Sequence, residues 1–386
     1  MKHNWTYKKL GEVGQIITGT TPSTQNNSFY SSNDFCFVKP SDLPINSIGK
    51  IRKTEFYISE KGYMISRRLP KGTVLVSCIG SIGKIGILEV EATCNQQINA
   101  IIPNANVSSA FLAYSIYAMK NEMISRANAP VVPIINKTDF SKYTIPIPPL
   151  TLQQSIVAEL DNINNLINIK KSQLKDLDNL AQSIFYEMFG DPIENEKGWD
   201  VKKFGDVCTI VTDGEHATPR RSQTGIYLLS ARNVHNHRLV LDDVDFIDEE
   251  EYNRISKRIV PQKDDILISC SGSVGRVCLA PDIKFQMVRS VALLRVDRTI
   301  IAPVFFEYLI CSDYVQRQID GSKVQVAQAN LFQGKIRALK GILPPLALQQ
   351  KFAEKIEAIE KHKQIVNVTI KDLETLLASR MQFWFE

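Results

Sequence analysis

Histidine is scarce here: five in 386 residues, scattered, with no partner at a spacing that suggests an acid–base pair. The seven cysteines are odd in number and form no C-x-x-C pair, which argues against a disulfide framework or a zinc site. Reduced thiols in a cytoplasm are expected instead. No run of about 18 apolar residues occurs, so no membrane-spanning helix is expected. Met1 to Gly14 contain no apolar core, so no secretory signal is expected there. No G-x-G-x-x-G follows a strand-like run, and no Asn/Asp-Pro-Pro-aromatic run for base methylation is found. Neither a bound cofactor nor a catalytic centre is therefore expected. A strong charge excess is missing too. The net charge of +5 and pI near 8.7 permit a nucleic-acid partner without requiring one.

What the chain does contain, it contains twice. "WTYKKLGEV" at Trp5 returns as "WDVKKFGDV" at Trp199. "VLVSCIGSIGK" at Val74 returns as "ILISCSGSVGR" at Ile266, and "PPLTLQQ" at Pro148 as "PPLALQQ" at Pro344. The offsets are 194, 192 and 196 residues, too long for a solenoid period of roughly 20–50. This is a duplicated domain. The copies differ in charge. Residues 1–190 hold 19 Lys+Arg against 14 Asp+Glu, whereas 191–386 hold 27 against 27 but 13 of the 17 arginines. Two similar surfaces with different charged chemistry suit a bipartite target.

Each copy opens with about 145 residues of β-rich runs ("GTVLVSCIG", "IYLLSA", "VALLRV") separated by Gly/Pro/Ser/Asn turns. One helix is expected from Ser109, and its counterpart from Ala302. A proline cluster then stops strand pairing. After Pro149, apolar residues fall at 152, 156, 160, 163, 167, 174, 177, 181, 184 and 188, a sustained heptad. The second copy repeats it at 348, 352, 356, 359, 366, 370, 373, 377 and 384. Lys170, Lys363 and Arg380 interrupt the stripes. The first helix should end at Gly190-Asp191-Pro192. If the copies relate by a two-fold axis, the two helices pair antiparallel; the alternative is that each merely covers its own domain. The expected fold is α+β: two similar mixed α/β domains separated by two long helices forming an antiparallel coiled coil, pseudo-two-fold. The expected division is 1–149, 150–190, 191–345 and 346–386.

The turn Gly80-Ser81-Ile82-Gly83-Lys84 is not a phosphate-binding P-loop, because Cys78 stands where its first glycine would be. Ser81-x-x-Lys84 lacks the partner motifs of a serine nucleophile, and the second copy has Arg276, which cannot act as a base. A turn with glycines at positive φ fits best, either alone or with Lys84 and Arg276 contacting phosphates. Hydroxyl-rich loops follow the first strand of each copy. They carry Thr20 and Thr21 in one, and His216, Arg220 and Arg221 in the other. They fit nucleic-acid contacts or plain surface loops equally. Arg232, Asn233 and His235 concentrate base-edge chemistry, opposite Lys39 and Ser41 in the first copy. Gln96, Gln97 and Asn99 stand where the second copy has Arg289 and neighbours, and Gln328 completes the candidate set. His235 and His237 lack a third metal ligand at suitable spacing, so no metal is expected.

In their order, twice over, these motifs resemble the specificity subunit of type I restriction–modification enzymes. The marks are the paired "PPL-x-LQQ" helix starts, the "GS-[IV]-G-[KR]" turns, "LLSARNV", "VRSVALLRV", and the "TGTTPS" and "TDGEHATP" loops. The resemblance implies two target-recognition domains (1–149 and 191–345) and two long spacer helices (150–190 and 346–386). It implies a non-catalytic subunit that reads an asymmetric split target in double-stranded DNA. Its partners would be two modification subunits, which carry S-adenosylmethionine and methylate adenine. It leaves room for restriction subunits that translocate and cleave DNA. A stand-alone bilobal DNA-binding regulator, or an enzyme with a site between the repeats, are the other readings of the same residues.

Overall fold

The computed structural model describes residues 5–127, 132–321 and 331–385. The chain divides into two compact units: 1–171 with 368–386, and 172–367.

The strands of the first unit are β1 (Thr6–Lys9), β2 (Gly14–Thr18), β3 (Phe35–Val38), β4 (Ile48–Ile51), β5 (Tyr57–Ile58), β6 (Val74–Ser77), β7 (Ile85–Leu88), β8 (Ala92–Cys94), β9 (Ile98–Pro103) and β10 (Thr144–Ile147). They form a five-stranded sheet in the order β2-β9-β6-β7-β4, a three-stranded sheet β5-β3-β8, and the pair β1-β10. The strand β6 is buried along its whole length, because both of its faces are covered. Side chains alternate sides along a strand. Val74 and Val76 accordingly pack with Leu112 and Ile116 of the helix Ser109–Ala118, while Leu75 packs with Val38 and Ala100.

In the second unit the strands are β11 (Asp200–Lys203), β12 (Cys208–Asp213), β13 (Ile226–Leu229), β14 (Val234–His235), β15 (Arg238–Leu239), β16 (Asp245–Ile247), β17 (Ile266–Ser269), β18 (Val277–Leu279), β19 (Phe285–Met287), β20 (Val291–Val296) and β21 (Lys340–Leu343). The plan repeats as β12-β20-β17-β18, β16-β13-β19 and β11-β21, with a small β14-β15 hairpin added. Ile266 and Ile268 face Phe305 and Leu309, whereas Leu267 faces Leu229 and Phe285.

The helix expected from Ser109 is in fact two, Ser109–Ala118 and Lys120–Arg126, and its counterpart is Pro303–Cys311 followed by Asp313–Gly321. Ser312 is the cause in the second unit. Its backbone is extended (ψ 150°), and its carbonyl restarts the ladder by accepting from Val315 and Gln316.

Each unit also holds parts of two long helices, Leu150–Phe189 and Leu346–Phe385. At 40 residues each they are about 60 Å long. The first ends at Gly190, whose φ of 75° suits a residue without Cβ. The helices pair antiparallel in both units. In the first, Arg380 and Trp384 both hydrogen-bond Glu159, and Lys171 meets Glu374 at 2.9 Å. In the second, Lys363 meets Asp178 at 2.7 Å, and the rings of Phe185 and Phe352 lie 5.7 Å apart. The buried stripe of the first helix departs from the heptad beyond Ala181. It continues through Phe185 and Phe189, leaving Ile184 and Met188 half-buried. A straight helix of 3.6 residues per turn drifts against a 3.5 repeat, and the aromatic cluster with Phe305 and Phe352 takes the drifted positions.

The "LQQ" motif has a definite role. Gln153 is fully buried; its carbonyl accepts from Ser108 N, and its amide donates to Asn106 O and Pro148 O. Gln349 does the same with Ala302 N, Ile300 O and Pro344 O. Each glutamine ties the start of a long helix to the start of a domain helix, satisfying backbone groups that helix ends leave open.

Candidate nucleic-acid interface

In each unit two parallel strands, β3 and β8 or β13 and β19, end side by side. Their pairings Val38↔Cys94 and Leu229↔Met287 put the two units in one register. Three loops gather at these strand ends. The first follows β2 or β12. Thr20 N bonds Cys94 O at 2.9 Å, and Glu215 N bonds Met287 O at 2.8 Å, so Thr21 and His216 occupy the same place. Gly19 and Gly214 make this approach possible: a Cβ there would lie 2.1 Å from Asn95 O and 2.3 Å from Met287 O.

The second loop is a single 3-10 turn, Pro40–Asp42 or Ala231–Asn233. Asp42 and Asn233 close it, each accepting a backbone N–H three residues back. Ser41 and Arg232 stand exposed at the same point of the turn. The third loop follows β8 or β19 and exposes Gln96 in one unit and Arg289 in the other.

The structure thus brings together Thr20, Thr21, Lys39, Ser41, Gln96 and Gln97 in the first unit. In the second it gathers His216, Arg232 and Arg289. Thr21 Oγ1 donates to Gln96 Oε1 at 2.6 Å, linking two of the loops. Gln97 is half-buried and accepts from Asn95 Nδ2. His216 lies 2.8 Å from Asp213 Oδ2, and His235 Nε2 lies 3.2 Å from Arg232 O.

Two expected readers have another job. Asn233 is 1% exposed, with its amide donating to Val240 O and Asp243 O and its carbonyl accepting from Ser230. Both its ends are spent on holding the turn. Asn99, 2% exposed, accepts from Thr18 Oγ1 beneath the loop. These two are corrected from base reading to loop support. Gln328 lies outside the described residues.

The glycine-rich segments are turns in both units. Gly80 and Gly83 have φ of 74° and 77°, Gly272 and Gly275 of 69° and 93°. Ser77 and Ser269 brace them identically, each hydroxyl donating to a turn carbonyl and accepting from the N–H of Lys84 or Arg276. Lys84 Nζ donates to Pro40 O at 3.1 Å, which places its charge against the 3-10 turn. Arg276 is half-buried.

Carboxylates that sequence reasoning missed surround the arginines. Arg220 meets Glu250 at 2.8 Å and Asp248 at 3.2 Å, and Arg221 meets Asp245 at 3.1 Å. Arg254 is held by Glu251, and Arg258 by Asp213 at 2.5 Å. Burial opposes the charge on Asp213. Hydrogen bonds from Arg258 and Gln333 outweigh it, holding the carboxyl below its usual range. Four of the second copy's arginines thus carry acidic counter-ions, which contribute to its zero net charge. The "DEEEY" run could have signalled them, since it opens the helix Glu249–Ser256 with Asp248 as its cap.

Burial pushes the thiols of Cys78 and Cys94 up to about 12, so they are neutral and poor nucleophiles near neutral pH. Among the described residues no cluster of His, Cys, Asp and Glu could hold a metal ion. No helix there is long and apolar enough to cross a membrane.

A pair of related α/β units, each gathering three loops at the ends of two parallel strands, and two long paired helices define the class of fold. The model of the type I restriction modification DNA specificity domain matches residues 2–179 and again 196–375, and the chain belongs to this family. It is similar to the type I restriction enzyme MjaIX specificity subunit of Methanocaldococcus jannaschii, 26% identical over an alignment covering 98% of this chain and 93% of that protein. The HindI specificity subunit of Haemophilus influenzae is 29% identical over 45% of this chain and 39% of its own. In fold the chain resembles the type I restriction–modification S subunit from M. genitalium, with TM-score 0.56 and 13% identity over 99% of this chain and 96% of that one. A chain solved in work on assembly and conformational transition of the type I system gives TM-score 0.61 at 18% identity, over 98% and 96%.

Proposed function

We propose that this chain is the non-catalytic, DNA-reading subunit of a type I restriction–modification complex, working in the cytoplasm. Residues 1–149 and 191–345 act as target-recognition domains, and the helices 150–190 and 346–386 as spacers. Each domain reads one half of an asymmetric split site in double-stranded DNA. The helix pair sets the gap and carries two methyltransferase subunits, with restriction subunits as further partners.

One observation carries the reading. The same three loop positions recur in both units with different polar residues: Thr21 and His216, Ser41 and Arg232, Gln96 and Arg289. Identical presentation with different donors and acceptors is what two readers of different base sequences require. Lys84, Arg276 and Arg220 would serve mainly as phosphate contacts, positioning the duplex without selecting bases. His235 supports the Arg232 turn. The test is the methylation pattern of host DNA with and without this gene, alongside co-purification. A split, asymmetric methylated motif should vanish on deletion, and a methyltransferase should co-purify. An unchanged pattern would overturn the proposal.

A further inference from the structure

The two units share one more position that the loops do not reveal. In the three-stranded sheets Cys36 pairs with Tyr57, and Tyr227 with Phe246. One step along, Phe37 N bonds Phe56 O, and Leu228 pairs with Asp245. Phe56, just before the edge strand β5, and Asp245, which opens the edge strand β16, are therefore the same place in the fold, beside the 3-10 turn.

Their chemistry differs, yet both hold cations from the neighbouring loops. The Lys39 ammonium sits 3.1 Å from the centroid of the Phe56 ring. Asp245 holds two guanidinium groups, one on each oxygen: Arg221 Nε on Oδ2 and Arg232 Nη2 on Oδ1, both at 3.1 Å. The seats remain partly open, with Phe56 41% exposed and the Asp245 side chain 28%. Arg221 is gripped at Nε. Among the described residues its terminal nitrogens have no acceptor, which leaves them for a ligand.

We propose that the position shared by Phe56 and Asp245 is a specificity-determining cation seat, which orients Lys39 in one unit and Arg221 with Arg232 in the other toward base edges. This rests on the DNA-reading function proposed above. A held cation cannot follow phosphates wherever they lie. At Asp245 the carboxylate also repels any phosphate that approaches the two arginines, while a guanine edge offers acceptors without a full negative charge. The seat converts general attraction into selective reading. Asp245 is thus a positioning residue, acting through Arg221 and Arg232.

The test uses the full-length chain with its methyltransferase partner. One probe is a pool of randomised duplex DNA, sequenced after selection; the other is a single unselected duplex titrated with salt. Asp245→Asn frees Arg221 and loosens Arg232, whose Nε still donates to Asp243 O at 3.0 Å. It should tighten binding to the unselected duplex several-fold and steepen its salt slope by about one to two. Preference at the second half-site should fall about ten-fold, with the first unchanged. Phe56→Leu should weaken preference at the first half-site only, and Asp245→Glu should retain wild-type selection. Loss of folding would weaken all binding, the opposite of the tightening expected. A wild type that selects no sequence overturns the DNA-reading function and the seat with it. A selecting wild type whose Asp245→Asn variant keeps both its preference and its salt slope overturns the seat alone.

Discussion

Gln153 and Gln349, 196 residues apart, are both fully buried and make the same three hydrogen bonds to equivalent backbone groups. Each is followed by an exposed glutamine, Gln154 or Gln350. Replacing Gln153 by Leu would strand the buried Pro148 O and take the partner from the part-buried Ser108 N–H and Asn106 O. At about 1–3 kcal/mol for an unsatisfied buried group, a loss of at least about 2 kcal/mol is expected. Gln154→Leu should change stability by less than about 0.5 kcal/mol. Denaturant unfolding of the two variants checks the contrast.

Phe185, on the first long helix, lies within 6 Å of the ring centroids of Phe189, Phe305 and Phe352. Phe185→Ala should cost about 3–5 kcal/mol. Ile184→Ala, one position away in the expected heptad, should cost less because that side chain is only half-buried. The order of the two unfolding midpoints tests where the seam runs.

Glu251 predicts an acid response. Hydrogen bonds from Arg254 are the main cause, and burial opposes them. The net effect brings its carboxyl from 4.5 down to about 2. Above pH 4.5 it is charged in both folded and unfolded chains, and its full stabilisation is present. As pH falls from about 4.5 toward 2, the unfolded chain takes up the proton first and that stabilisation is lost. Glu251→Gln should be less stable than wild type at pH 7, and the difference should shrink toward pH 2. Thermal melts across this range would show it.

Gln96→Ala and Arg289→Ala occupy the same loop in different units. Each should relax one half-site by about 1–3 kcal/mol per lost base contact and leave the other intact. Methylation mapping in cells carrying each variant reads this directly. Relaxation of both half-sites by one variant would contradict separate readers.

Much of the scaffold was legible in the sequence, because duplication shows every structural constraint twice. The glycine turns and the helix starts at "LQQ" are examples. Residue type alone misled at Asn233, whose chemistry suits adenine but whose burial assigns it to the turn. The Phe56–Asp245 position was invisible for a different reason. Its meaning depends on strand pairing, which joins residues 37 and 56 in one unit and 228 and 245 in the other. Neither pairing leaves a mark in local spacing, and a phenylalanine matched to an aspartate does not look like a repeat.

Segment 368–385 packs into the first unit, where Met381 joins a core with Phe111, Tyr114, Ile156 and Leu160. On the ribosome, residues 172–367 are made between Lys171 and that segment. At roughly 5–20 residues per second this delay is about 10–40 seconds. Through that interval the nascent first unit has an open apolar groove where Met381 and Trp384 will sit. Its completion is therefore a late step of synthesis, and a growing chain stalled before residue 368 should present that groove to chaperones.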